Sequence, residues 1–159
     1  NGHYLREADD GRLADIVAPM IAAHIGRDLH ENDLDLLQRS MGAIKPRAKT
    51  IHDLVTGALF LFRTRPLDLD DKAKMLLDAD ARALLARLQP VLNGLADWTE
   101  SALDTAVREF AESSDLKLGK VAQPLRAALT GSAQSPGIFD VLLLLGREES
   151  LARIADQAN

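Results

Sequence analysis

Apolar residues recur along most of the chain at the three- and four-residue spacing of amphipathic helices. The first two apolar stripes run from Leu13 to Ile25 and from Leu34 to Ile44, and Asn32 or Asp33 is the predicted N-cap of the second helix. No segment alternates between apolar and polar residues as a half-buried strand does. The pattern therefore predicts an all-α fold.

A third helix is predicted from Ile51 onward, with Thr50 as its N-cap. It ends before Pro66, because the residue that precedes a proline is disfavoured in a helix. The polar segment that follows this proline is typical of a connection between domains. It predicts two packed helical subdomains, residues 1–66 and 67–159.

The same helical spacing continues after this connection. Asp70 or Asp71 is predicted to open a short helix. The apolar stripe over residues 84–95 is interrupted by Pro90, which predicts a kink or a restart at that point. Thr99 is the predicted N-cap of the next helix.

The last third of the chain contains one segment that the pattern alone does not assign. A helix is predicted from Lys120 to Leu129, with Pro124 in its first turn and Gly131 as the residue that ends it. A loop of small residues covers 132–137. Residues 138–145 are almost wholly apolar and fit a buried strand or a buried helix; we interpret them as helix because their surroundings are helical.

Composition narrows the class of protein. The chain has 159 residues, of which 47% are hydrophobic and 27% charged, and this balance is typical of a globular protein with one domain or two small subdomains. The absence of cysteine excludes disulfides and thiolate chemistry and predicts a cytoplasmic location. The apolar runs are too short for a membrane-spanning helix, so no membrane partner is expected. Because the first residue is Asn1 rather than Met, we expect a piece of a longer protein.

Charge is unevenly distributed along the chain. The net charge of −5 argues mildly against a nucleic-acid partner. However, residues 36–52 and 116–139 contain no acid and several lysines and arginines. Such windows can form a local positive surface that the net charge conceals, although solvated faces also vary in charge by chance.

The candidate binding residues lie in these two windows, and no motif typical of a catalytic site is present. The histidines lack metal-ligand spacing, no phosphate-binding glycine motif is present, and paired carboxylates are better explained by helix capping, so no catalytic or metal site is predicted. Arg47 follows a proline between two helices, where its planar fork suits a base edge or a phosphate. Gln123 and Arg126 flank a helix start, and residues 135–138 offer backbone and one apolar side chain. These residues alone support an all-α binding module.

Several motifs resemble the C-terminal part of bacterial glutamyl-tRNA synthetases. The most specific is the block PLRAALTG with SPG downstream of it. Together the similar segments are distributed over essentially the whole chain. They are Asn1–Glu7, Lys45–Arg47, Trp98–Glu100, Lys117–Gly131, Ser135–Phe139 and Leu144–Glu148.

The resemblance implies an anticodon-binding region of two packed helical subdomains, called the α-helix cage. It implies the anticodon loop of tRNA(Glu) as partner, together with the parent's own catalytic domain, and no DNA. ATP and Mg²⁺ would belong to that catalytic domain, so this fragment is expected to need no cofactor and to activate no amino acid by itself. A monomer is expected.

The resemblance also assigns roles to individual residues. An arginine at the position of Arg47 goes with discrimination of the third anticodon base of glutamate from that of glutamine. By motif position, the anticodon contacts fall on Arg47, Gln123, Arg126, Ser135, Pro136, Gly137 and Ile138. Weaker contacts with the RNA backbone are expected from basic residues of the same windows, namely Lys45, Lys49, Lys117 and Lys120.

Two other functions remain open from the residues alone. A helical protein-interaction module without RNA binding would present an exposed apolar groove of several hundred Å² instead of a basic surface. A small helical enzyme would bring titratable groups with perturbed pKa values together in one pocket.

Overall fold

The structure, a computed structural model, describes residues 8–158. This part of the chain forms eight α-helices and two short 3₁₀-helices without any strand, which confirms the all-α prediction. Asn1–Glu7, one of the segments that carry the resemblance, lies outside the described residues.

The chain divides into two compact units between Arg63 and Thr64. The division into RNA-binding subdomains at residue 66 stays a prediction. The elements of the first unit are α1 (Asp10–Ile25), α2 (Glu31–Ile44), a 3₁₀-helix (Lys45–Arg47), α3 (Ile51–Ala58) and a second 3₁₀-helix (Leu59–Phe62).

The core of the first unit is built by most of the predicted stripes, although Ile16 and Met20 of the α1 stripe are 40% and 42% exposed. Leu13, Val17 and Ile21 of α1 are fully buried, as are the apolar residues on the inner face of α2. The predicted cap of α2 is wrong, because the helix begins earlier and its N-cap is His30. Asp33 is instead the third helical residue, and its carboxylate accepts a hydrogen bond from the His30 amide at 3.0 Å.

The second unit contains five α-helices, and two of its predicted N-caps are confirmed. Asp70 accepts a hydrogen bond from the amide of residue 73 at 2.8 Å, and Thr99 accepts one from the amide of residue 102 at 3.2 Å. The helices are α4 (Asp71–Leu76), α5 (Ala79–Asn93), α6 (Glu100–Ser113), α7 (Leu118–Thr130) and α8 (Ile138–Gln157).

Two prolines of this unit, Pro90 and Pro124, lie inside helices, and the predicted restart at Pro90 and first-turn position of Pro124 are both wrong. α5 runs through Pro90 without a restart, and α7 begins at Leu118, so Pro124 lies in its interior instead of its first turn. An interior proline costs about 3 kcal/mol. Burial of several leucines, each worth about 1.5–3 kcal/mol, offsets this cost in both helices. In α5, for example, Leu85 and Leu88 are fully buried.

Residues 138–145 are helical, as interpreted from the sequence. They form the first half of α8, which is interrupted at Gly146, where φ is 82° and ψ is 168°. The second half contains a charged side chain in the core, since Arg153 is only 1% exposed.

Candidate nucleic-acid interface

Arg47 lies at the end of the short 3₁₀-helix between α2 and α3. Pro46 fits the first turn of this helix, where no amide donor is needed. The Ala48 amide donates to the Lys45 carbonyl at 3.1 Å, and the Ala48 side chain is only 5% exposed. Arg47 itself is exposed. The tight turn and its buried alanine therefore hold Arg47 at the surface on a fixed backbone.

Lys45 fastens this turn to the start of α1. Its ammonium group donates to the Asp10 carboxylate at 2.7 Å and to the Ala8 carbonyl at 2.9 Å. The side chain is 13% exposed. Sequence reasoning missed this pair, because its members are 35 positions apart. A contact between Lys45 and the RNA backbone stays a prediction, and the observed pair indicates a positioning role.

The other side of the turn is held by a capping box at the start of α3. The Asp53 carboxylate accepts hydrogen bonds from the amides of Lys49 and Thr50 at 2.9 and 3.2 Å, and the Thr50 hydroxyl accepts one from the Asp53 amide. The pKa of Asp53 is lowered, mainly by the hydrogen bond from the Lys49 amide. The first acid after the acid-free window thus binds backbone amides, while the Lys49 side chain is exposed.

The second acid-free window places four of the predicted residues along α7. Lys117, Lys120 and Gln123 are exposed and Arg126 is half-buried. They follow one another at intervals of three, so each is a neighbour of the next on the helix surface. The first turn of α7 contains no acidic residue. The row therefore presents two cations, an amide and a guanidinium without an acid of α7 between them.

Arg126 joins this row to the loop that follows α7. Its Nε donates to the Ser135 hydroxyl at 2.9 Å, and that hydroxyl donates to the Pro136 carbonyl at 2.7 Å. The structure thus brings Arg126 and Ser135 together, as their assignment to one surface requires. Pro136 is buried and Gly137 is half-buried, while Ile138 is only 5% exposed. The single apolar side chain of this segment packs into the unit, and the roles of residues 135–138 stay predictions.

The start of the same loop is held by the backbone of Asp70 and by the buried side chain of Arg153. Gly131 ends α7 with φ of 76°, and its carbonyl accepts the Asp70 amide at 3.0 Å. The buried Arg153 donates to the Leu129 carbonyl at 2.7 Å and to Glu149 at 2.6 Å. Sequence reasoning missed Arg153. The available signal was its four-residue spacing from Glu149, next to the apolar residue Ile154.

Along residues 8–158, no group of three or more histidine, aspartate or glutamate residues could hold a metal ion. None of the helices in this part of the chain is long and apolar enough to cross a membrane.

A sequence profile described as an anticodon binding domain matches residues 12–158. The chain belongs to this family. Over 157 residues, this anticodon binding domain is 60% identical to glutamate–tRNA ligase 2 of Rhizorhabdus wittichii, a match that covers 99% of the chain and 33% of that protein. It is 54% identical over 156 residues to glutamate–tRNA ligase 2 of Rhodospirillum centenum, covering 98% and 33%.

The anticodon binding domain also resembles solved structures in fold. A glutamate tRNA ligase from Elizabethkingia meningosepticum, crystallised with its amino acid, superposes with a TM-score of 0.79 at 24% sequence identity. The match covers 99% of this chain and 30% of that one. The domain therefore spans about a third of the length of the curated relatives it matches.

Proposed function

We propose that this domain binds the anticodon loop of tRNA(Glu) as part of a glutamate–tRNA ligase. The observation that carries the proposal is the row from Lys117 to Arg126, which continues through the Arg126–Ser135 hydrogen bond into a loop, in a member of the anticodon binding domain family. Sequence-specific recognition of RNA depends mostly on unstacked loop bases, which are bound through their edges. In this row, Lys117 and Lys120 would bind the phosphate backbone of the RNA, and Gln123 and Arg126 would bind base edges.

Arg47 is proposed to discriminate the third anticodon base of glutamate tRNA from that of glutamine tRNA. A guanidinium can donate two parallel hydrogen bonds to a base edge, and the entropic cost of binding is lower if its backbone is already fixed. The Lys45–Asp10 pair and the Asp53 capping box fix the backbone on either side of Arg47. Lys49 beside it is proposed to bind the phosphate backbone, as are Lys117 and Lys120 in the second unit.

The remaining contacts are proposed around the end of α7. Gln123 and Arg126 supply amide and guanidinium groups for base edges, and Ser135 fixes the orientation of the guanidinium. Because Pro136 and Ile138 are buried, the segment 135–138 is proposed to contribute mainly its backbone.

The catalytic domain of the parent protein is proposed to bind ATP and Mg²⁺ and to attach glutamate to the tRNA. We propose that the parent is a cytoplasmic monomer. The family match favours anticodon binding over a protein-interaction module, since such a module has no reason to belong to this family.

The decisive experiment compares binding of the chain to a tRNA(Glu) transcript and to the same transcript with the third anticodon base of glutamine tRNA. Tighter binding to the first is expected, and Arg47→Gln should reduce the ratio of the two dissociation constants by about five- to hundredfold, the range of one good base contact. Equal effects of Arg47→Gln on both transcripts would contradict base discrimination by Arg47. No binding of either transcript would favour the interaction module.

Salt dependence tests the phosphate contacts separately. Lys120→Ala should weaken binding of both transcripts equally and reduce the slope of log K against log salt by about 0.7–0.9. Lys72→Ala is the matched control, because Lys72 is an exposed lysine of the same unit outside the acid-free windows. An equal change in slope for both variants would place Lys120 outside the interface.

A further inference from the structure

Trp98 binds both halves of the interrupted helix α8. It is the only tryptophan of the chain and lies in the connection between α5 and α6. Its indole N–H donates to the carbonyl of Leu142, in the first half of α8, at 2.9 Å. The guanidinium carbon of Arg147, the first residue of the second half, lies 5.1 Å from the centre of its ring.

Two further hydrogen bonds strengthen this arrangement. The Leu142 carbonyl also accepts the hydroxyl of Ser150, from the second half of α8, at 3.4 Å. Arg147 donates to the Asn93 carbonyl at the end of α5 at 3.3 Å. Contacts of Trp98 with Leu142 and Arg147, and of Ser150 with Leu142, thus connect the two halves of α8 across Gly146. Ser150 is fully buried.

The position of Leu142 connects this arrangement to the proposed interface. It lies one helical turn after Ile138, the first residue of α8, and Ile138 directly follows the Ser135–Gly137 loop. Gly146, with φ of 82°, has access to a wide range of backbone conformations because it lacks a side chain. Without further contacts, the two halves of α8 could therefore change direction relative to each other. A side chain that binds both halves removes this freedom and fixes where the first half begins.

We propose that Trp98 is a positioning residue for anticodon recognition: it sets the direction of the first half of α8 and thereby the place of residues 135–138. This inference rests on the proposed function. It predicts that loss of the indole N–H impairs base discrimination and leaves the phosphate contacts of Lys117 and Lys120 intact.

The test uses Trp98→Phe, which keeps an aromatic ring under Arg147 but removes the donor to Leu142. Arg87→Met is the control, because it removes another cation–aromatic contact of this unit, in which Arg87 lies 5.4 Å from the ring centre of Phe110. In Trp98→Phe we expect the ratio of dissociation constants for the two transcripts to fall by roughly fivefold or more, within the range of one base contact. We also expect an unchanged salt slope and faster amide exchange over residues 139–145. The control should change none of these.

Arg147→Met provides a second variant in case Trp98→Phe fails to fold, and its ratio should fall in the same direction. If the wild-type chain discriminates the transcripts and both variants do so equally well, Trp98 only stabilises the fold and the inference is overturned while the proposed function stands. If the wild-type chain binds neither transcript, the proposed function fails and the inference fails with it.

Discussion

The two loops proposed to contact RNA are held in place by different kinds of interaction. Residues 45–50 of the first unit depend on charged groups near the surface, namely the Lys45–Asp10 pair and the Asp53 carboxylate. Residues 131–137 of the second unit depend on a glycine in the left-handed conformation and on the buried Arg153. The first loop should therefore respond to pH and charge, and the second to changes in backbone and core.

Gly131→Ala should produce the largest effect. With φ of 76°, an added Cβ would lie 2.5 Å from the Asp68 carbonyl oxygen, so the backbone has to move. The left-handed conformation costs about 1–2 kcal/mol for a non-glycine residue, and with the clash we expect a loss of roughly 2–4 kcal/mol in the free energy of unfolding. Gly26→Ala is the matched control, since Gly26 has φ of 77° and nothing within 4 Å of the added atom. Equal losses in urea denaturation would show that the contact with Asp68 is unimportant.

Arg153→Met should be the next most damaging. It leaves the buried Leu129 carbonyl without its Arg153 donor, which costs about 1–3 kcal/mol. Arg39→Met removes a pair of the same four-residue spacing, with Asp35 at 3.0 Å, but both side chains are more than half exposed, and such a pair contributes less than about 0.5 kcal/mol. Thermal unfolding of both variants measures the difference. Similar stability losses would mean that burial of Arg153 does not matter.

Asp53→Asn should have a smaller effect that depends on pH. The amide of Lys49 lowers the pKa of Asp53 in the folded state, so ionised Asp53 stabilises the folded state above its unfolded pKa, near 4, and this contribution disappears as the pH falls through the lower folded value. We expect the variant to be less stable than wild type at pH 7 and the difference to shrink in acid. A difference in unfolding midpoint that stays constant between pH 7 and pH 2 would contradict this account.

Asp115→Gly should have the smallest effect and the opposite sign. Asp115 follows α6 with φ of 56°, a conformation that glycine adopts without strain. We expect a gain of about 0.5 kcal/mol, because relief of strain slightly exceeds the added flexibility of the unfolded chain. Asp115→Asn keeps a side chain that tolerates this conformation and removes only the charge. If both variants are stabilised equally in urea denaturation, charge and not backbone strain is responsible.

Much of the fold was predictable because it depends on local periodicity. The helix over Leu13 to Ile25 and the caps Asp70 and Thr99 follow from neighbours within a few positions, and these predictions are confirmed. The apolar stripe of α1 is confirmed only in part, because its members Ile16 and Met20 are exposed. The predicted restart at Pro90 and the predicted first-turn position of Pro124 were wrong, because burial of the surrounding leucines outweighs the lost hydrogen bond at each proline.

The sequence points to the exposed residues of the candidate site, but not to the interactions that hold these residues in place. Arg47 and the row on α7 stand out by charge and position alone. The ion pair between Lys45 and Asp10 joins residues that no local pattern connects. No local pattern points to Arg153 as a core residue, because charged side chains are rarely buried unless they are paired, as the Arg153 guanidinium is.

The contact of Arg153 with the end of α7 also affects the field around the whole helix. Aligned peptide dipoles give a helix about half a positive charge at its first turn and about half a negative charge at its last. In α7 the negative end lies against a buried guanidinium, while the positive end contains Lys117 and Lys120. Because Glu149 pairs with that guanidinium, the C-terminal end gains little net positive charge, and the positive potential of α7 comes from Lys117, Lys120 and the dipole at its first turn. A polyanion that approaches this first turn therefore meets positive potential on an otherwise acidic protein, and this potential can orient it before any specific contact forms.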